Sequence, residues 1–399
     1  MRPDAVVAGA GFAGGILARE LAEAGENVLV LERRQTIAGN MFDEVNADGI
    51  LVQRYGPHSF HTNDRAVYDY VCRFAQMEPY RLTYRAIIKG IPVPCPFNFT
   101  AIRQLYPPEK AEELIHRLRA GFPDRTQVSV FGLLDSPDPV VKAYAEMLFE
   151  EDFRPYTAKQ WGRRPEEIDP SVIRRVPVLL NERDSYFDDL YECQPRHGFT
   201  RMFDRMLRHA RIEVRTGIDA RSRLSFDEAA GLVRFDGAEI PRVIYTGALD
   251  ELFQCRFGPL PYRSLRFEWE SLPVDSHQET AIVAYPKGAA YTRITEYTKL
   301  PPQYAPGRTV IAREYPLAYD RAAEEGNEPY YPVAGAESHA LRDRYLDLAK
   351  RYRNLTLCGR LADYRYYNME DVVRRALEVA GRLTDRQADG FDAKGTEQP

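Results

Sequence analysis

The chain has 399 residues, 44% hydrophobic and 28% charged, with a formal net charge of −5. That composition is globular, the length suits two or three domains rather than one core, and the acidic balance argues against nonspecific nucleic-acid binding. No apolar run approaches the roughly 20 residues of a membrane span, and the scattered cysteines Cys72, Cys95, Cys193, Cys255 and Cys358 form no C-x-x-C, so they read as free thiols in a reducing cytoplasm with no metal site.

The N-terminus enters a strand at once, and no signal peptide is expected. Apolar Ala5-Val6-Val7-Ala8 runs into Gly9-Ala10-Gly11-Phe12-Ala13-Gly14-Gly15, and Val28-Leu29-Val30-Leu31 then ends on Glu32, 23 positions after Gly9. A strand, G-x-G-x-x-G, a helix and a second strand closed by an acid, at a spacing near the roughly 20 expected, predict a dinucleotide site. Gly9 permits the tight turn, Gly11 lets backbone approach a pyrophosphate, and Gly14 lets helix and strand pack. Phe12 and Ala13 open the helix, whose free N–H groups suit phosphates. Glu32 can accept hydrogen bonds from a ribose. The following string, Arg33-Arg34-Gln35-Thr36-Ile37-Ala38-Gly39-Asn40, favours FAD over NAD, because small residues there let a second backbone segment approach the pyrophosphate. Arg33, Gly39 and Asn40 therefore join the cofactor candidates.

Further along, residues 80–98 alternate apolar and polar and carry Pro92, Pro94 and Pro96, which suit edge strands or a rigid turn. Residues 100–161 read mostly helical, with a period near 3.6 at 111–118 and 140–149. A helix is predicted at 199–209, followed by strands at 212–215 and 242–247 that return to the first sheet. Strands at 265–270, 281–285, 290–296 and 309–314 look antiparallel. A late strand at 354–359 and a helix at 369–383 precede a polar, disordered tail at 388–399. The fold class is α/β: a doubly wound, Rossmann-like FAD-binding domain (1–70, 197–258 and 340–387) with an inserted helical domain (99–178) and an antiparallel-sheet substrate domain (71–98, 179–196 and 259–339).

Several strings exceed what packing requires: Tyr55-Gly56-Pro57-His58-Ser59-Phe60-His61, Tyr156-Thr157-Ala158-Lys159-Gln160-Trp161-Gly162, Tyr291-Thr292-Arg293, Glu328-Pro329-Tyr330-Tyr331-Pro332 and Gly359-Arg360-Leu361-Ala362-Asp363-Tyr364-Arg365-Tyr366-Tyr367-Asn368-Met369. Together with the N-terminal fingerprint they resemble the UDP-galactopyranose mutase family of the bacterial type. The resemblance implies an isomerase that converts a nucleotide sugar between pyranose and furanose without net redox change. In the family, reduced FAD attacks the anomeric carbon through N5, the diphosphate departs, and an iminium adduct lets the ring reclose. It further implies an external reductant such as NAD(P)H or a flavin reductase, a cytoplasmic location and a homodimer. The catalytic residues it implies are Arg293, Arg360, His61, Tyr331 and Tyr366. Substrate contacts would come from Tyr156, Trp161 on a mobile loop, Arg175, Leu179, Tyr186 and Arg263, besides Arg293, Tyr331 and Tyr366. On the cofactor side it adds His58, His61, Gly217, Ile218, Arg360, Asn368 and Met369.

The chain departs from the family pattern at four places; at one of them Ala38 replaces the usual first glycine of the basic box, a change that FAD binding should survive. Leu179 stands where a second diphosphate-holding arginine is usual, so Arg183, Arg196 or Arg263 could take over, or the substrate differs. Asn368 replaces a frequent aspartate, and Asp152 stands where an aromatic residue often helps hold the base. Two other readings stay open on the residues alone: an amine-oxidase-like flavin oxidoreductase and a non-catalytic binding protein on the same scaffold.

Overall fold

The computed structural model describes residues 2–162 and 176–384; Arg175, most of the expected mobile loop and the expected tail lie outside the described residues. Ala5–Ala8 (β1), Phe12–Glu23 (α1) and Val28–Glu32 (β2) form the predicted βαβ unit. Both strands are buried along their whole length, which is why they are unbroken apolar runs rather than alternating ones. They lie in a five-stranded parallel sheet in the order Ile212–Thr216, β2, β1, Arg242–Tyr245, Leu355–Leu357. The strands expected near 212, 242 and 354 therefore all join β1 and β2.

Two helices from later in the chain pack on α1. A Cβ on Gly15 would lie 3.1 Å from Met206 Sδ, so glycine admits the helix Phe199–Leu207. The final helix, Met369–Leu383, buries Val373, Ala376, Val379 and Ala380, an apolar stripe at helical spacing, in the same core.

The second sheet has seven strands, in the order Tyr331–Pro332, Tyr262–Leu272, Thr309–Ala318, Arg293–Glu296, Ile282–Ala284, Tyr84–Ile88, Ile91–Pro94. It is not wholly antiparallel as expected: Ile282–Ala284 runs parallel to Tyr84–Ile88. A parallel pair needs a long crossover, and the chain between these strands supplies one. Pro92 and Pro94 lie on the edge strand, where a missing N–H breaks no ladder. Against this end of the sheet pack the helices Phe99–Leu105, Pro108–Gly121, Val130–Leu134, Pro139–Leu148 and Arg154–Trp161. Between the last two, Phe149–Phe153 forms a π-helical turn that buries Asp152 and Phe153. Such turns insert a residue into the helical ladder and turn side chains onto a new face.

Candidate active site

A cavity of about 380 Å³ opens at the C-terminal ends of the parallel strands and is closed opposite by the seven-stranded sheet. Its floor is the glycine loop. Gly9 has φ +112°, and a Cβ there would lie 2.1 Å from Thr246 Oγ1. A Cβ on Gly39 would meet Gly11 Cα at 3.1 Å, so two backbone segments touch where the sequence predicted a shared approach to a pyrophosphate. Ala38, in place of glycine, holds φ +76°, a left-handed conformation that costs an L-residue roughly 1 kcal/mol. Gly11 caps α1 and Asn368 caps the final helix, so two helix N-termini face the cavity with their partial positive charge. Glu32 ties the floor together: Oε2 accepts from the Ala10 N–H and Oε1 from the Arg34 N–H, both at 2.9 Å. Each oxygen keeps further acceptor capacity, and Glu32 lines the cavity. Arg34 donates to Glu328 (2.8 Å) and to Asn40 Oδ1 (2.9 Å) and lies 3.9 Å from the Tyr55 ring, yet its Nη1 is buried without a partner. A buried, unsatisfied guanidinium donor in a glycine-floored cradle fits a polyanionic dinucleotide.

Cations of two kinds occupy the other wall. Arg293 stands opposite Glu314 in the sheet register and donates to its Oε2 through Nε (2.9 Å) and Nη2 (2.7 Å). Glu314 is 2% exposed, so half of this pair is a fully desolvated charge. Arg360 pairs with no carboxylate among the described residues; its guanidinium lies 5.1 Å from the Tyr331 ring. Tyr331 stacks on Tyr366 with ring centres 5.6 Å apart. His58 stands at the same wall. Enclosure, then the charges of Arg360 and Arg293, push its imidazole down to about 3, so it is neutral. His61 is bound at Nδ1 by Asp189 (2.7 Å) and stacked on Phe187 with centres 3.6 Å apart. That pairing fixes its ring orientation.

Tyr84, Tyr186, Arg293, Tyr331 and Tyr366 also border a second arm of about 200 Å³. Beyond them the arm is walled by Cys95, Asp152, Tyr156, Thr157, Gln160 and Trp161. Lys159 anchors the helix that carries Tyr156 and Trp161 by donating to the carbonyls of Tyr285 (2.6 Å), Ala289 (2.8 Å) and Tyr291 (3.1 Å).

A family model described as UDP-galactopyranose mutase matches residues 151–366, and one for an NAD(P)-binding Rossmann-like domain matches residues 7–74. The chain is 33% identical over 386 residues to a UDP-galactopyranose mutase of Mycoplasma pneumoniae, covering 95% of this chain and 96% of the relative. The chain belongs to the UDP-galactopyranose mutase family. It is also 32% identical to a dTDP-fucopyranose mutase of Escherichia coli, covering 94% of this chain and 97% of that one. A crystal structure of reduced UDP-galactopyranose mutase has the same fold, with a TM-score of 0.68 at 16% identity over 97% of this chain and 95% of that one.

In this mutase-family chain the structure brings Arg293, Arg360, His61, Tyr331 and Tyr366 to one cavity, with Gly9, Gly11, Phe12, Ala13, Glu32, Arg33, Gly39, Asn40, His58, Asn368 and Met369. Tyr156, Trp161 and Tyr186 reach the second arm. Others lie elsewhere. Gly14 packs under the helix, where a Cβ would sit 1.9 Å from Gly9 O. The N–H groups of Gly217 and Ile218 are spent on Arg34 O (2.8 Å) and Glu32 O (2.9 Å). The cavity contact falls just beyond them, at Asp219, Ala220 and Arg221. Leu179 is 1% exposed in a short strand paired with Gln127 and lines neither arm. Arg263 donates to Gln160 O (2.9 Å) and braces the helix end. Arg183 pairs with Asp188 and Arg196 with Glu78, so none of the three expected substitutes for Leu179 lines the cavity. Sequence reading missed Arg221, which joins Asp219 (2.6 Å) to Glu251 at the cavity wall. A usable signal existed, since the loop after a parallel strand's C-terminal end is where doubly wound sheets bind ligands.

Proposed function

We propose that the chain is a flavin-dependent mutase that interconverts the pyranose and furanose forms of UDP-galactose or a related nucleoside-diphosphate hexose. The observation that carries this reading is the junction of the two arms. Arg293, neutralised by Glu314, stands there with a stacked tyrosine pair, and Arg360, without a carboxylate partner among the described residues, lies 5.1 Å from one of those rings, between a dinucleotide cradle and a second pocket for the rest of the substrate.

FAD fits the cradle, held by the Gly9–Gly14 loop, Glu32, the Arg33–Asn40 box and the N-terminus of the final helix. In its reduced form, maintained by an external reductant such as NAD(P)H or a flavin reductase, it would supply the nucleophile that displaces the sugar's diphosphate. The chain's own residues do the rest. Arg293 and Arg360 stabilise charge developing on the departing diphosphate through charge-assisted hydrogen bonds. Glu314 cancels one of the two charges, so the bound diphosphate can return. Neutral His58 can donate or accept one hydrogen bond without adding a third cation. Tyr331 and Tyr366 enclose the sugar and exclude water from an electrophilic centre. Five unpaired thiols suit a reducing cytoplasm.

The test is incubation of dithionite-reduced protein with UDP-galactofuranose under anaerobic conditions, with chromatographic separation of the pyranose and oxidised protein as control. Conversion only by reduced protein supports the reading. Oxygen-dependent turnover of a substrate, with no isomerisation of any nucleotide sugar, overturns it.

A further inference from the structure

The second arm ends in a group that the chemistry above does not use. Glu150, Glu151 and Asp152 are consecutive acids on the π-helical turn. Glu150 pairs with Arg154 (3.2 Å) and Glu151 with Lys287 (3.0 Å). Asp152 is turned inward, 8% exposed, and makes no hydrogen bond or ion pair among the described residues. A buried carboxyl without a partner is costly, and such groups in native folds are ordinarily satisfied.

We infer that Asp152 reads the imide edge of a uracil- or thymine-type base, accepting from N3–H and donating to O4; this rests on the nucleotide-sugar reading above. The diphosphate is held at Arg293 and Arg360, at the junction of the arms. The ribose and base lie on the side of the diphosphate away from the reacting carbon, so they extend into the second arm. Its walls are the aromatic faces of Tyr156 and Trp161, and its polar groups are Asp152, Thr157 and Gln160. A carboxyl that carries a proton offers one donor and one acceptor side by side, the complement of an imide edge. Burial supplies that form by pushing the Asp152 carboxyl up to about 7. The groups facing it do not compete for the proton. Burial raises the Tyr84, Tyr186 and Cys95 groups far above neutrality and the Tyr156 hydroxyl to about 12. Arg293, the cation of the arm, is held by Glu314.

The experiment is calorimetric titration of the full-length flavin-loaded protein with UDP and with N3-methyl-UDP, which cannot donate from N3. Wild type is expected to favour UDP by about tenfold or more, the worth of one buried hydrogen bond. Asp152→Leu is expected to lose that preference and to bind both ligands alike. Asp152→Asn keeps a donor and an acceptor, so it retains the preference while losing the weakening of UDP binding that wild type shows above about pH 7. Flavin content checks that each variant is folded. Asp152→Leu with unchanged UDP affinity and unchanged preference overturns the inference, as does a wild type that binds GDP or ADP in place of UDP. Failure of the nucleotide-sugar reading looks different: wild type would bind no nucleoside diphosphate at all.

Discussion

Replacing Arg293 by alanine removes more than a substrate contact. Its guanidinium gives Glu314 two hydrogen bonds, at 2.9 and 2.7 Å, and Glu314 is 2% exposed. Arg293→Ala leaves that carboxylate buried and uncompensated, which costs about 3–5 kcal/mol. With a urea dependence near 3 kcal/mol/M, the unfolding midpoint falls by about 1 M or more. Activity falls for a separate reason. A charge-assisted bond to phosphate is worth about 1.5–3 kcal/mol, so kcat/KM drops by roughly ten- to a hundredfold beyond any loss of folded protein. The double variant Arg293→Ala/Glu314→Gln separates the two effects. Neutral glutamine tolerates burial better, so the urea midpoint recovers most of its loss while kcat/KM stays low. Both quantities are read on the same preparations, by flavin fluorescence in urea and by product chromatography. An unchanged midpoint for the single variant would refute the buried-pair argument. Recovery of kcat/KM in the double variant would show that Arg293 acts only as the counter-ion of Glu314.

Arg360→Ala should behave oppositely: with no carboxylate to orphan among the described residues, its stability stays within about 0.5 kcal/mol of wild type, a midpoint shift of at most about 0.2 M urea, while kcat/KM falls about tenfold or more. Gly14→Ala forces a Cβ to 1.9 Å from Gly9 O, and the expected product is protein without flavin absorbance; a yellow variant of normal stability would contradict the packing described. Two groups make opposite demands on pH. His58 lies below its ordinary 6.5, so the unfolded chain takes the proton first, and stability present above about pH 6.5 is lost as pH falls toward about 3. Asp152 lies above its ordinary 3.8, so the folded protein takes the proton first, and stability is lost as pH rises from 3.8 through about 7. The two windows overlap between about pH 3.8 and 6.5, where the slopes oppose each other; in urea titrations across that range His58→Asn should leave stability that falls as pH rises, and Asp152→Asn stability that rises with pH. Each change in slope is at most about 1.4 kcal/mol per pH unit. Parallel curves for variant and wild type would remove the corresponding assignment.

The glycine-loop half of the cavity was legible because its signals are local. Gly9, Gly11, Gly39 and Glu32 fall within one βαβ unit, where a tight turn, a close backbone approach and a strand-ending acid each demand one residue type at one spacing. Buried strands and the amphipathic helix Met369–Leu383 were legible for the same reason, since burial on both faces or on one leaves its period in the chain. Arg293, Arg360, Tyr331 and Tyr366, from the family strings, line one cavity.

Only the tertiary structure decided what those side chains touch. Arg293 meets Glu314 because two antiparallel strands pair in one register; a slip of one residue would turn every side chain to the other face, and nothing local announces that register. Leu179 looked like a lost phosphate contact, but the fold buries it away from the cavity, while Arg263 braces a helix end. In the sequence Asp152 stood out only as a replacement for an aromatic residue of the family pattern. A π-helical turn carried it, of the three consecutive acids, into the second arm, because one inserted residue shifts the helical phase in a way that composition does not record.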